Sequence, residues 1–207
     1  MKIMFIESKL KNIDFNLDKK EISKLPKKIC LFYSIQYGDL ASSIKAQLLK
    51  AKVTVSKFEQ VLGCSKFNTN KDKLPILLIG SGRFHAINLY SQFDEIYLLE
   101  SKKIVKISKK EIEEVRARRR GALINFLSAD RIGILVSTKP GQENMTQAEE
   151  LKKKLKKKGK QVYVFVSNNI DMNQFENFNI QSWINTACSG LANDSSKIIN
   201  FNELPNF

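Results

Sequence analysis

The sequence predicts an α/β protein of two similar three-layer domains, each a mostly parallel sheet flanked by helices. Two stretches carry that prediction. Residues 27–55 (KKICLFYSIQYGDLASSIKAQLLKAKVTV) and 130–166 (DRIGILVSTKPGQENMTQAEELKKKLKKKGKQVYVFV) each place an apolar strand, a polar turn, an amphipathic helix and a second strand in that order. Continuous apolar strands alternating with amphipathic helices mark parallel sheets buried on both faces. The length agrees, because 207 residues suit one large or two small α/β domains.

Taken in order, the opening MKIMFIESKLKNID holds a short apolar run soon broken by charges. It lacks the long apolar region and small-residue cleavage site of a signal peptide and reads as a first strand. The first repeated unit then gives a strand at 29–34, a helix at about 39–51 and a short strand at 53–55. Strands at 74–80 (LPILLIG) and 94–100 (DEIYLLE) extend its sheet. A long helix follows at 108–129, opened by Ser108 and Glu111 at capping-box spacing. The second unit gives a strand at 132–137, a loop with Pro140 and Gly141, a helix at about 144–158, Gly159 as a stop and a strand at 161–166. Residues 181–188 (QSWINTAC) read as its last strand, ended by Cys188. These elements divide the chain into domains 1–105 and 106–207.

Composition narrows the function classes. Hydrophobic residues make up 43% and charged residues 27%, ordinary values for a soluble globular chain. No apolar run approaches the roughly 18 residues that span a bilayer, and the expected location is the cytoplasm. The net charge of +14 comes from 35 basic and 21 acidic residues and favours anionic partners. Much of it sits in LKKKLKKKGK (151–160). The plain reading of that run is the solvated face of a helix anchored by Leu151 and Leu155, since it has no interleaved aromatics of the kind that stack bases. Arg116, Arg118, Arg119 and Arg120 form a second basic run, whose guanidinium forks suit carboxylates and phosphates. A solvated helix face explains that run equally well.

The chain has three cysteines, Cys30, Cys64 and Cys188, and a single histidine, His85. The absence of any CxxC pair disfavours a zinc ribbon or redox dithiol, and the odd cysteine count disfavours a disulfide framework. One histidine leaves little room for a histidine-rich metal site or a Ser-His-Asp triad. Cys30 lies at the start of an apolar strand and reads as core.

Ligands of open α/β sheets collect at the carboxyl ends of the strands. Several chemistry-bearing residues fall there: Ser34-Ile35-Gln36, Gly80-Ser81-Gly82-Arg83-Phe84-His85, Ser137 to Gln142, and Cys188. The Gly80-Ser81-Gly82 turn allows close backbone approach, and the helix start behind it presents free N–H groups to an anion. By itself such a turn is a weak signal.

The combination is more specific. Gln60-Val61-Leu62-Gly63-Cys64, Ile79-Gly80-Ser81-Gly82 with Phe84-His85, Gly133-Ile134-Leu135-Val136-Ser137 leading to Gly141-Gln142, and Ala187-Cys188 resemble the diphthamide synthase family in order and spacing. Tyr33-Ser34-Ile35-Gln36 resembles the opening of that family's second domain, and the likeness runs from about residue 28 to the end. The resemblance implies three similar α/β domains that each give one cysteine to a 4Fe-4S cluster. It implies S-adenosylmethionine bound at the open iron, reductive cleavage to a 3-amino-3-carboxypropyl radical, and transfer to a histidine of elongation factor 2. Thiolates and an open coordination site suit that chemistry. Carried over by motif, Cys64 and Cys188 are the metal ligands, and Ser81, Gly82, His85 and Gln142 line the cofactor pocket. Arg119, with Arg118 or Arg120, is the candidate partner of the methionyl carboxylate.

The chain also departs from the family pattern. The residues before Lys27 are too few for the first domain, so its cysteine is absent from these residues. Ser189-Gly190 follows Cys188 where the family has Pro-Arg, Asp194 precedes Ser195 where the family has an Asp pair, and Ala86 follows His85 where the family commonly has proline. The expected assembly is a homodimer, or a heterodimer with a chain supplying the first domain, served by an electron donor and acting on elongation factor 2 away from any membrane. The alternatives are a non-catalytic accessory subunit of that complex and a basic RNA- or ribosome-binding α/β module.

Overall fold

The computed structural model describes residues 4, 6, 8–11, 15–62, 74–80, 86, 89, 93–193 and 195–205. The chain is a mixed α/β protein with mostly parallel sheets flanked by helices. Its contacts divide it into two compact units, Met1–Ile112 and Glu113–Phe207. The boundary expected at 105/106 falls at the end of the last strand of the first unit.

The first unit carries a five-stranded sheet in the order β2-β1-β3-β4-β5. The strands are β1 (Lys28–Tyr33), β2 (Thr54–Gln60), β3 (Ile76–Ile79), β4 (Ile96–Glu100) and β5 (Lys103–Lys106). β2, β1, β3 and β4 run parallel, and β5 pairs antiparallel with β4. The apolar runs of β1 and β3 are buried on both sides, as parallel central strands require. One face packs Ile29, Leu31, Leu77 and Ile79 against Leu40, Ala41, Ile44 and Leu48 of helix α2 (Gly38–Lys50). On the other, Phe32 and Phe93 meet edge to face with ring centroids 5.7 Å apart.

The first strand expected within residues 1–14 lies largely outside the described residues. Among the described residues before Lys28 none is in a strand, and the only regular element is a short helix, α1 (Lys19–Ile22). Phe15 and Leu17 are buried nonetheless. The Gln47 side chain of α2 holds them, accepting from the Leu17 N–H at 2.8 Å and donating to the Phe15 carbonyl at 2.7 Å. A side-chain amide thus takes the role that a strand ladder would have played. Two further differences concern strands. β2 runs to Gln60 rather than stopping near residue 55; as an edge strand it carries a Lys57–Glu59 ion pair, which hides its apolar alternation. β5 was not legible because its hairpin turns on Ser101 and Lys102, both at positive φ (45° and 68°), instead of an Asn-Gly signal.

The second unit has a fully parallel four-stranded sheet in the order β7-β6-β8-β9. Its strands are β6 (Arg131–Ser137), β7 (Gln161–Ser167), β8 (Ser182–Asn185) and β9 (Ile198–Asn200). Helix α3 (Lys109–Ser128) opens with the expected capping box: the Glu111 N–H donates to Ser108 Oγ and the Ser108 N–H donates to Glu111 Oε2. Ala122 and Phe126 of α3 and Ala148, Leu151 and Leu155 of helix α4 (Met145–Lys157) pack on Ile132, Ile134 and Val136. The lysines of α4 lie outside that stripe, as the plain reading of the run predicts. The opposite face is closed by a 3-10 turn at Met172–Phe178, whose Phe175 and Phe178 join Phe165 and Trp183 in an aromatic cluster. No helix among the described residues is long and apolar enough to cross a membrane.

Gly133 explains one of the family-like motifs. It stands opposite Trp183 in the β6–β8 register, and a Cβ there would overlap the indole ring. Gly133→Ala is therefore expected to destabilise the second unit by about 1–3 kcal/mol, the usual cost of overpacking. Trp183 is the only tryptophan, so thermal unfolding followed by its fluorescence reads this directly; an unchanged midpoint would refute the close-packing account.

Glu21 generates a second prediction. It accepts from Lys24 Nζ at 2.7 Å and from the Ile104 N–H at 2.6 Å. These contacts, Lys24 first, hold its carboxyl below the ordinary 4.5. A depressed folded-state pKa gives stability that is present above the unfolded value and lost as pH falls through the folded one. Glu21→Gln should flatten the fall in stability on acidification below pH 4.5, measured by denaturant titration at several pH values. An unaltered acid slope would count against the contact.

Candidate active site

In the second unit the carboxyl ends of β6, β8 and β9 bring several polar side chains together. β6 ends at Ser137, whose Oγ accepts from the Lys139 N–H at 3.1 Å. The chain then turns, with the Gln142 N–H donating to the Lys139 carbonyl at 3.0 Å and Gly141 at φ 76°, a left-handed conformation suited to glycine. Asn144 stands at the start of α4, where an asparagine normally caps the helix with its side chain, but it makes no such bond. Its Nδ2 donates instead to the Thr186 carbonyl at 2.7 Å, with the Gln142 carbonyl at 3.4 Å. Thr186 is held from β6 as well, through Oγ1 to the Leu135 carbonyl at 2.8 Å. The loop carrying Gln142 and the loop carrying Cys188 are thereby tied to each other.

β8 ends earlier than the sequence suggests. Its last residue is Asn185, and Cys188 lies in the loop beyond it; the last strand is β9. The cause is the Asn185 side chain, whose Oδ1 accepts from the Ala187 N–H at 3.0 Å and turns the backbone out of the sheet. Asn185 Nδ2 donates to the Cys188 carbonyl at 2.7 Å and to Asn200 Oδ1 at 2.8 Å. Asn200 Nδ2 in turn donates to the Ser189 carbonyl at 3.2 Å. Both asparagines are buried, while Cys188 is half-buried. Ser189 Oγ is buried with no hydrogen-bond partner among the described residues.

Arg119, the expected partner of a cofactor carboxylate, is engaged within the chain. Its Nε donates to Glu203 Oε1 at 3.0 Å, its Nη2 pairs with Glu203 Oε2, and its Nη1 donates to the Ala192 carbonyl at 2.6 Å. The guanidinium fork has found its carboxylate within the chain. Arg118 donates to the Asn193 carbonyl at 2.9 Å. Arg120 is exposed, 3.9 Å from Glu113.

In the first unit, Ser34 ends β1 and Gly80 follows β3. The Ser34 N–H donates to the Ile79 carbonyl at 3.0 Å, and its buried Oγ has no partner among the described residues. A Cβ at Gly80 would come within 3.4 Å of that oxygen. Cys64, Ser81, Gly82 and His85 lie outside the described residues. Cys30 lies in the interior of β1, buried as expected, and burial pushes its thiol pKa up. Among the described residues no three His, Cys, Asp or Glu side chains gather as a metal site.

The sequence reading missed Asn144, Asn185, Asn200 and Glu203. A signal was present: Asn185 and Asn200 stand in the apolar strands SWIN and IIN, and asparagine is depleted in strands.

Comparison with known proteins adds the following. The profile of the family described as "Putative diphthamide synthesis protein" matches residues 1–203. The chain is 29% identical over 129 residues to the 2-(3-amino-3-carboxypropyl)histidine synthase of Pyrococcus horikoshii, covering 62% of this chain and 38% of that protein. It is 26% identical over 208 residues to subunit 1 of the same synthase from Kluyveromyces lactis, covering 88% of this chain and 48% of that protein. The chain thus spans less than half the length of either relative. Crystal structures of Dph2 from Pyrococcus horikoshii, one of them with a 4Fe-4S cluster, superpose with TM-score 0.75 at 25% identity, over 89% of this chain and 58% of theirs.

The contrast between the two described cysteines is open to direct test. Half-buried Cys188 should be alkylated by iodoacetamide well before Cys30, which is only 6% exposed and whose thiol resists ionisation. Peptide mass spectrometry over a time course reads both sites, and equal rates would contradict the burial difference.

Proposed function

The chain belongs to the diphthamide synthesis protein family, and from that premise we propose that it serves the first step of diphthamide biosynthesis. In this reading a 3-amino-3-carboxypropyl group passes from S-adenosylmethionine to a histidine of elongation factor 2. The observation that carries the reading is a half-buried cysteine, Cys188, at the carboxyl ends of a parallel sheet in a loop tied down by side-chain amides. Its relatives are named as synthases of the corresponding product, and a structural neighbour contains a 4Fe-4S cluster.

The donor chemistry fits such a cluster in part. Cys188 offers a soft thiolate from a loop whose carbonyls are engaged elsewhere, so the sulfur is the loop's available ligand. Cys188 would hold one iron and Cys64 a second. A third thiolate would come from polypeptide outside these 207 residues. When bound, the cluster supplies an electron and an open coordination position. The protein's own part is to bind and orient. Gln142, tied to the Cys188 loop through Asn144, would line the S-adenosylmethionine pocket from the second unit. Ser81, Gly82 and His85 are the other residues that the family motifs assign to that cofactor. Two relatives carry the name subunit 1, which supports work within an assembly, with an electron donor and elongation factor 2 as partners.

Anaerobic reconstitution with iron and sulfide, together with a family partner subunit, tests the proposal. The wild-type chain is expected to take up a cluster and support cleavage of S-adenosylmethionine. Cys188→Ser and Cys64→Ser should each lower bound iron and abolish cleavage. Full iron content and cleavage in Cys188→Ser would sink the assignment.

A further inference from the structure

Five backbone carbonyls of the loop between β8 and β9 accept from side chains rather than from a ladder. Cys188 takes Asn185, Ser189 takes Asn200, Ala192 takes Arg119, Asn193 takes Arg118 and Ser196 takes Asn125. The donors come from β8, β9 and α3, so the segment is gripped from three elements. Three of these side chains, with Glu203, form one continuous path. Arg119 holds Glu203 with two N–H groups. Glu203 Oε2 accepts from the Asn200 N–H at 3.2 Å and completes a capping box with the Asn200 side chain. Asn200 Oδ1 accepts from Asn185, and Asn185 ends on the carbonyl of Cys188 itself.

We propose that Arg119, Glu203, Asn200 and Asn185 act as a positioning relay that fixes the backbone of Cys188 and so the place of its thiol. The physical reason lies in the loop's composition. Among the described residues of 186–197 the regular structure is a single 3-10 turn, Ser189–Asn193, and few are apolar anchors. Without the amide and guanidinium donors the loop would open locally, because little apolar contact holds it. A ligand side chain is useful only if its supporting shell holds it within a fraction of an ångström. Removing such support elsewhere costs about 10–100-fold in metal affinity. The relay also gives Arg119 its role: the charged end lies on α3 and the neutral amides lie beside the cysteine, so no formal charge is buried next to the thiol.

The inference rests on the proposed function only for the purpose of the relay; its geometry stands without a cluster. The test therefore begins on the full metal-free chain. Asn185→Ala, Arg119→Lys and Glu203→Gln are compared with wild type for Cys188 alkylation by iodoacetamide, with Cys30 as the internal reference and circular dichroism as the check on folding. Cys188 alkylation is expected to rise about tenfold or more, the size of a lost charge-assisted contact in a local opening equilibrium, while Cys30 stays slow. If Asn185→Ala fails to fold, Arg119→Lys and Glu203→Gln, whose side chains are partly exposed, carry the experiment. Unchanged Cys188 rates in the folded variants would overturn the relay. Faster Cys188 alkylation with no cluster uptake by wild type would uphold the relay and reject the proposed function. If wild type does bind iron, the same variants should weaken binding and broaden the electron paramagnetic resonance signal of the reduced cluster, and an unaltered affinity and signal would again overturn the relay.

Discussion

A buried carboxamide has two N–H donors and an oxygen, and leaving any of them unsatisfied costs about 1–3 kcal/mol. Asn185 answers that constraint with the Ala187 N–H, the Cys188 carbonyl and Asn200 Oδ1. Each answer shapes the site. The bond to Ala187 ends β8, the bond to Cys188 fixes the loop, and the bond to Asn200 couples that loop to the neighbouring strand. A valine or isoleucine here would suit the strand and remove one donor each from the Cys188 carbonyl and Asn200 Oδ1. The polar residue at the end of an apolar strand is thus what makes the second unit more than a packed sheet.

The parallel sheets determine where such residues can act. Strands buried on both faces have no side-chain positions free for chemistry along their length, so function collects beyond their carboxyl ends. In the first unit Ser34 and Gly80 occupy those ends; in the second Ser137 and Asn185 do. Ser34 and Ser189 each keep a buried hydroxyl without a hydrogen-bond partner among the described residues. Buried polar atoms are normally paired, and exceptions call for an explanation. At Ser34 the orphan oxygen adjoins the Gly80 position, where the absence of a side chain leaves it room.

The legible parts of the fold were those with strong local periodicity. β1, α2, β6, α4 and β7 announce themselves through apolar runs or helical stripes, and the α3 cap through Ser108 and Glu111. What escaped depends on partners distant in sequence. β9 is three residues long and gains its meaning only from pairing with β8. The stretch at Phe15 and Leu17 is held by Gln47, some thirty positions away. Arg119 shows the same limit at the site. Its guanidinium pairs with Glu203, and nothing local in the sequence reveals that partner. Strand context separates buried Cys30 from Cys188, which lies in a loop beyond β8.

That separation bears on how a cluster would be completed. Cys30 pairs in register with Lys57 on one side and Ile76 on the other, inside the sheet. A thiol there would have to lose its proton in an apolar setting, and burial already opposes ionisation. It would also have to leave the sheet to reach the carboxyl ends, four residues along at Ser34, where a strand advances about 3.3 Å per residue. Moving that ligand by more than about 10 Å would break a central strand and open the buried core around it. Cys30 is therefore part of the packed core of the first sheet.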